Sequence, residues 1–378
     1  MNRRWFWILL LGTLAVSASG MTRLAPSRQA HVWQVHEPIT HSNLALFPVT
    51  ADGGHDSSGY LTLDEGLRSG EVEITELGAA LLRRRPGARV PDRAQVNTLA
   101  LVNHSKKALV LLAGEIVTGG KQDRVISKDR IVPPGAEPLP LDVFCVEPGR
   151  WHGASLAFNG KSVMAALRVR QKAAVAKNQQ EVWAATDAVR QGAVREIDTP
   201  AARAGLARSS SYAELERSQE FKGRIDRASR DLQSDYERAL RGALRGKDVV
   251  GVVVAINGEV VWADLFADSD LFRRYWSKLL RSYVVEAMSA GVVEHARASR
   301  ANAERFLAER DGKQIIEVEP GEYRLVQIDH PRYSIFQLAS LVETGQPLLH
   351  FNKLRKESSG SRKRGPRPIP VPQPHYRR

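Results

Sequence analysis

Cysteine is almost absent from this chain: Cys145 stands alone among 378 residues. No intramolecular disulfide can form, and a zinc site built on several thiolates is excluded. The fold must hold by packing alone, which 43% hydrophobic content over this length permits in one or two domains. His31, His36, His41, His55 and His104 lack metal-ligand spacing. Paired aspartates, a serine-centred elbow and a His-Glu-x-x-His run are also missing, so the usual hydrolase motifs are absent. There is no internal repeat. The apolar run Trp5–Val16 falls short of the ~18–20 residues that span a bilayer as a helix.

What is present at that end is a signal-peptide pattern. Arg3 and Arg4 precede the apolar run, and Ala18-Ser19-Gly20 supplies a small-residue cleavage site. The expectation is a periplasmic or secreted chain cleaved after Gly20, with an uncleaved N-terminal anchor as the alternative. No cysteine lies near the site, which argues against a lipoprotein. The formal charge of +13 is unevenly spread. Arg3 and Arg4 carry +2 and the stretch from Lys353 to Arg378 carries +8, leaving +3 for residues 21–352. The body is near neutral. The tail at 352–378, with five alternating prolines from Pro366 to Pro374, cannot bury enough apolar surface to order itself. It either tethers the protein to an anionic membrane or cell-wall surface or merely solubilises it. No specific nucleic-acid module and no cofactor is implied.

Between these ends the pattern predicts one α+β domain over 31–351. From His31 to about Phe158, short β-prone segments alternate with turn signals, the pattern of an antiparallel β-sandwich or partly open barrel. Val96–Val102 and Ala108–Leu112 are its clearest strands, and Asn103–Lys107 suits a turn pairing them. A helical middle follows Gly160. Ser211-x-x-Glu214 fits a capping box opening its second helix. Asn257-Gly258, between two β-branched runs, predicts a hairpin, because both residues tolerate positive φ. Asp268 then caps a helix to Ala290, and further strands follow after Arg300–Glu309.

The chemistry concentrates between Gly114 and His152. Gly119-Gly120-Lys121 has neither the spacing of a nucleoside-triphosphate loop nor that of a dinucleotide turn. What remains is Lys121 as a point charge and Arg124 as a bidentate fork for anionic oxygens, or else a bulged turn with solvated charges. Glu147 suits a hydroxyl contact or a general base. Arg150 suits a phosphate and Trp151 a flat ring. The competing reading is a Glu147–Arg150 ion pair closing a Pro-Gly turn over a core tryptophan. Cys145 in an apolar strand reads as a small buried hydrophobe rather than a nucleophile served by His152.

Taken in order, Gly114-Glu115, Lys121-Gln122-Asp123-Arg124 and Cys145-Val146-Glu147-Pro148-Gly149-Arg150-Trp151 resemble the signature of the ARG and rhodanese-phosphatase-superfamily-associated protein family. The resemblance continues through Ser210-Ser211-Tyr212 and the Asn257-Gly258 hairpin to Asp264-Leu265-Phe266, covering about Val35 to Ala290. The family's association with ADP-ribosyl-glycohydrolases implies NAD-derived or ADP-ribose-like ligands. On that implication Lys121, Arg124 and Arg150 contact phosphate and Trp151 stacks. Glu115, Gln122 and Glu147 are then hydroxyl contacts, with Glu115 and Glu147 as the catalytic candidates. The leading expectation is an exported protein whose polar pocket binds a nucleotide-like, ADP-ribose-like or sugar-phosphate ligand, with hydrolysis as a candidate activity. The alternative is a non-enzymatic cell-envelope interaction or scaffold module.

Overall fold

Val249–Ile256 is buried along its whole length, and the molecule is organised around it. The structure is a computed structural model, described here over residues 32–77, 97–135, 138–148, 157–158, 162–209, 211–293 and 295–356. The expected signal peptide, its cleavage after Gly20 and the tail from residue 357 lie outside the described residues. So do Gly149, Arg150, Trp151 and His152.

Strands β1 (Trp33–Val35), β2 (Ile39–His41), β3 (Leu44–Ala51) and β4 (Tyr60–Thr62) precede helix α1 (Leu63–Ser69). Eight short strands follow: β5 (Val72–Glu76), β6 (Thr98–Asn103), β7 (Ala108–Leu111), β8 (Glu115–Val117), β9 (Arg124–Ile126), β10 (Arg130–Val132), β11 (Leu139–Cys145) and β12 (Val163–Met164). The helical middle holds α2 (Leu167–Gln171), which runs on as a π-helical turn to Ala176, then α3 (Gln179–Arg195), α4 (Pro200–Arg208), α5 (Glu214–Arg217) and α6 (Gln219–Arg241). Next come β13 (Val249–Ile256), β14 (Glu259–Phe266), α7 (Ser269–Ala290) and α8 (Arg300–Ala308). Strands β15 (Lys313–Glu319), β16 (Tyr323–Asp329), β17 (Tyr333–Ser340) and β18 (Leu348–Arg355) end the described chain. The protein is mixed α+β, with its N-terminal half rich in strands.

A nine-stranded sheet runs β1-β3-β13-β14-β18-β17-β16-β15, with β2 also on β3. The motif-bearing strands form a six-stranded sheet, β12-β8-β9-β11-β6-β5, and a three-stranded one, β10-β7-β4. Sandwiching explains the apolar run of β13. Val252, Val254 and Ile256 enter the core that includes α7, while Val253 and Ala255 enter one shared with α8. Both faces are therefore apolar, as expected for a strand covered on each side. The adjoining turn has Asn257 at φ 49° and Gly258 at φ 75°, the left-handed pair that a two-residue hairpin requires. Asp268 caps α7 by accepting from the Leu271 N–H at 2.7 Å.

Several local expectations are corrected. β6 and β7 do not pair: β6 lies between β5 and β11, and β7 between β4 and β10. Asn103 separates them, its amide donating to the Lys107 and Val132 carbonyls. Strands 33–51 join the sheet of the C-terminal half through β3 and β13, while the later strands of the N-terminal half form the six- and three-stranded sheets. Ser211 opens no long helix. The Tyr212 phenol accepts from the Ala166 N–H at 2.7 Å, and α6 begins only after Ser218. Burial of Tyr212 and Leu215 holds the intervening segment against the core. Finally, β18 continues to Arg355, so the ordered strand enters the stretch expected to belong to the tail.

Candidate functional site

The polar run is carried by β8, β9 and β11 and the turns between them. Arg124 opens β9, opposite Val117 on one neighbour and Cys145 on the other. Its side chain is fully buried. Nη1 donates to Gln122 Oε1 at 3.2 Å, and Nη2 lies 4.0 Å from Glu76 Oε1 on β5. Arg124 Nε and Nη2 have no hydrogen-bond partner among the described residues. Gln122 Nε2 donates to the Glu147 carbonyl at 3.2 Å, and Glu147 is itself buried. The Lys121 N–H donates to the same Glu76 oxygen at 2.9 Å. Lys121, Gln122, Arg124 and Glu147 are therefore neighbours, gathered around a carboxylate, Glu76, that the sequence reading did not single out. Its only sequence signal was a charge at the end of an apolar β-prone run.

The glycines before Lys121 do not present an open nest of N–H groups. Gly119 N–H donates to Asp123 Oδ1 at 3.1 Å, and Gly120 N–H to the Ala157 carbonyl at 3.3 Å. With Lys121 bound to Glu76, three successive N–H groups are spent on acceptors within the fold. Gly120 is required for a different reason. At φ 54°, a Cβ there would sit 2.3 Å from the Phe158 ring and 2.9 Å from Glu76 Oε1. The glycine lets Phe158 and Glu76 close over the loop, beside which Arg124 Nε and Nη2 keep no hydrogen-bond partner among the described residues.

Glu115 goes elsewhere. Its carboxylate accepts from the Leu112 N–H at 2.7 Å and from Lys278 on α7. Lys278 Nζ also lies 3.1 Å from Asp64 Oδ2 and 3.1 Å from Ser162 Oγ, over the Tyr275 ring. Burial works against the Lys278 ammonium, but Glu115 and Asp64 outweigh it and hold its pKa above the ordinary lysine value. Burial pushes the Glu115 carboxyl up despite Lys278. Burial also opposes ionisation of Asp64, yet Lys278 and the Ser162 donors hold its carboxyl below the usual range.

A third cluster was missed by sequence reasoning. Asp264 on β14 receives both Arg170 terminal nitrogens at 2.9 Å, the Tyr283 hydroxyl at 2.6 Å and the Asn352 amide at 2.7 Å. His350 on β18 bridges from Asp264, 3.3 Å from Nε2, to Asp129 Oδ2, 2.6 Å from Nδ1. Burial disfavours the imidazolium, but the two carboxylates prevail and raise its pKa to about 9. Asp264 itself is held far below the carboxylate range, since Arg170 and His350 outweigh its burial. Gly114 is fixed by this cluster: a Cβ there would meet Arg170 Cγ at 2.3 Å. The available signal was Asp264, a lone charge in the otherwise apolar run 260–266 of β14.

Cys145 is buried and its thiol is pushed up to about 11, which keeps it protonated at neutral pH. A cleft of about 640 Å³ opens between Trp262, Arg168, Glu286, Arg332 and Arg355, and Arg170 of the third cluster lies over its Trp262 ring at 4.6 Å. Its charges are largely matched: Arg168 with Glu286, Arg355 with Glu259, and Arg332 with Glu309. No described member of the expected site lines it. Among the described residues no cluster could hold a metal ion, and no helix is long and apolar enough to cross a membrane.

Fold and buried chemistry thus define a mixed α+β protein with three interior polar clusters, in which Arg124 Nε and Nη2 of the first and Arg170 Nε of the third have no hydrogen-bond partner among the described residues. Residues 32–349 match the model of the ARG and Rhodanese-Phosphatase-superfamily-associated Protein domain, and the chain belongs to that family. It matches no curated protein and no solved structure.

Proposed function

We propose that the chain is an exported ligand-binding protein, and that Arg124 is the anion contact for a nucleotide-like, ADP-ribose-like or sugar-phosphate ligand. One observation carries the proposal. Arg124 is wholly buried, and its Nε and Nη2 lack hydrogen-bond acceptors among the described residues. Leaving charged donors unsatisfied in an interior is costly, and native proteins rarely do so without a functional reason. Phosphate or carboxylate oxygens match the guanidinium fork. Gln122 fixes the Arg124 side chain through Nη1, and Lys121 and Glu147 flank it. Arg150 and Trp151, within four residues of Glu147 in sequence, are the proposed second phosphate contact and stacking ring. Glu147 is the proposed general base if the ligand is hydrolysed. Glu115 keeps no role in this reading, because Lys278 neutralises it. The basic tail would hold the exported protein near an anionic envelope surface.

Thermal-shift measurements with nucleotides, ADP-ribose and sugar phosphates test the reading. A ligand at a hundred times its Kd stabilises the native state by about 2.7 kcal/mol. That gain should vanish in a folded Arg124→Met variant. A panel that leaves the wild-type midpoint unmoved would remove the proposal. The scaffold reading, an envelope interaction module without a ligand, is favoured by the loop at Gly119–Lys121 having spent its N–H groups internally. It expects Arg124→Met to alter stability alone.

A further inference from the structure

We infer that β15 is a self-association edge, through which two copies of this chain join their nine-stranded sheets across a two-fold axis. Among the described residues β15 is the terminal strand of its sheet and pairs only with β16. All seven of its residues pair with β16 in unbroken register, with no bulge to twist the outer edge away. Ile315, Ile316 and Val318 are 52%, 56% and 49% exposed, three of the most exposed large apolar side chains among the described residues. A long, flat, apolar edge presents a row of unpaired N–H and C=O groups, a template for another strand, and monomeric proteins usually blunt it with proline, bulges or inward charges. β15 has no proline and no bulge, its one lysine stands at its end, and its mid-strand charge, Glu317, is engaged by Lys128 of its own chain.

The sequence of the strand, Lys-Gln-Ile-Ile-Glu-Val-Glu, identifies the occupant as a second copy in antiparallel orientation. A two-fold axis perpendicular to the sheet must set one residue opposite its own copy, because facing side chains share a face. Centred on Ile316, it pairs all seven residues. Lys313 then faces the partner's Glu319 at each end, and Ile316 faces the partner's Ile316 in the middle. Val318 and Ile316 from both chains form a continuous apolar strip on one face. Neighbouring registers are worse. Centring on Glu317 sets two like charges opposite each other and leaves Lys313 unmatched. Centring on Ile315 brings Lys313 to the partner's Glu317. That carboxylate is already engaged in each copy by Lys128 at 2.6 Å and the Tyr323 hydroxyl at 2.8 Å. Charge complementarity therefore selects one register, and with it one dimer.

Sedimentation of the purified full chain, with Lys313→Glu and Glu319→Lys as variants, tests this. The wild type is expected to dimerise in the micromolar range. Each variant alone places like charges at both ends of the pairing and should raise the dimer Kd by about tenfold or more. An equimolar mixture of the two variants should recover the dimer. In a mixed pair the two reversed charges face each other at one end, and the unchanged Lys313 and Glu319 face each other at the other. Recovery also shows that both variants are folded. A wild type that stays monomeric at roughly a hundred times a micromolar concentration overturns the inference. So does a dimer that neither reversal weakens, or a mixture that fails to re-associate.

Discussion

Lys278 shows how one interior charge sets the state of its neighbours. It lies on the buried stripe of α7, between Asp64 and Glu115. Removing one partner of a buried ion pair costs about 3–5 kcal/mol, because the other is left uncompensated. Lys278→Met should therefore lower the unfolding free energy by that amount in denaturant titrations. Adding Glu115→Gln should restore part of it by removing the stranded carboxylate. If the double variant is no more stable than the single one, Glu115 is not coupled to Lys278. The same residues mark what a sequence can disclose at this scale. Lys121, Gln122, Arg124 and Glu147 were legible as a group because a turn and two strands bring near neighbours together. Asp64, Lys278 and Asp264 were not, since each is a single charge whose partners lie far off in the chain. The adjoining network shows the same spread, with Asp129 and His350 standing 221 positions apart. Arg150 and Trp151 lie outside the described residues.

Elements were legible where their determinants are local. The Asn257-Gly258 turn, the Asp268 cap and the helix end at Ala290 depend on residues within a few positions. Pairing partners of strands depend on the whole chain, which is why the β6–β7 hairpin failed and β3 joined β13. Helix packing adds a constraint that propensity hides. Gly192 sits inside α3, where alanine would ordinarily stabilise by roughly 0.8–1 kcal/mol. Here a Cβ would lie 2.3 Å from the Ser289 carbonyl oxygen and 2.7 Å from its Cα. Both are backbone atoms of α7 and cannot swing aside. Gly192→Ala should therefore destabilise, by about 1–3 kcal/mol as overpacking does, against the direction propensity predicts. Chemical denaturation gives the sign directly, and a stabilised variant would mean that α3 and α7 separate at little cost.

At the scale of the whole molecule, the His350 network joins segments that the sequence distributes across the chain. Asp129 comes from the loop before β10, Arg170 from α2, Asp264 from β14, Tyr283 from α7, and His350 and Asn352 from β18. The described residues fall within one compact unit, and this network is an interior polar link between its motif-bearing strands and its large sheet. The link titrates. His350 holds its proton in the native state to about pH 9, whereas an unfolded histidine releases it near ~6.5. Between those values the native state binds the extra proton, so stability falls as pH rises. The contribution is complete below ~6.5 and lost above about 9, and two and a half pH units correspond to about 3 kcal/mol. Lys353 opposes this at the alkaline end. Burial lowers its pKa to about 8, so its neutral form increasingly favours the native state from there upward. The His350 contribution is therefore isolated by comparison with His350→Gln. That variant should be less stable than wild type at pH 6.5, because Asp129 and Asp264 lose the cation between them. The gap should narrow by about 3 kcal/mol towards pH 9.5. A gap independent of pH would show that His350 is neutral in the native state and that its two carboxylates are balanced by Arg170 alone.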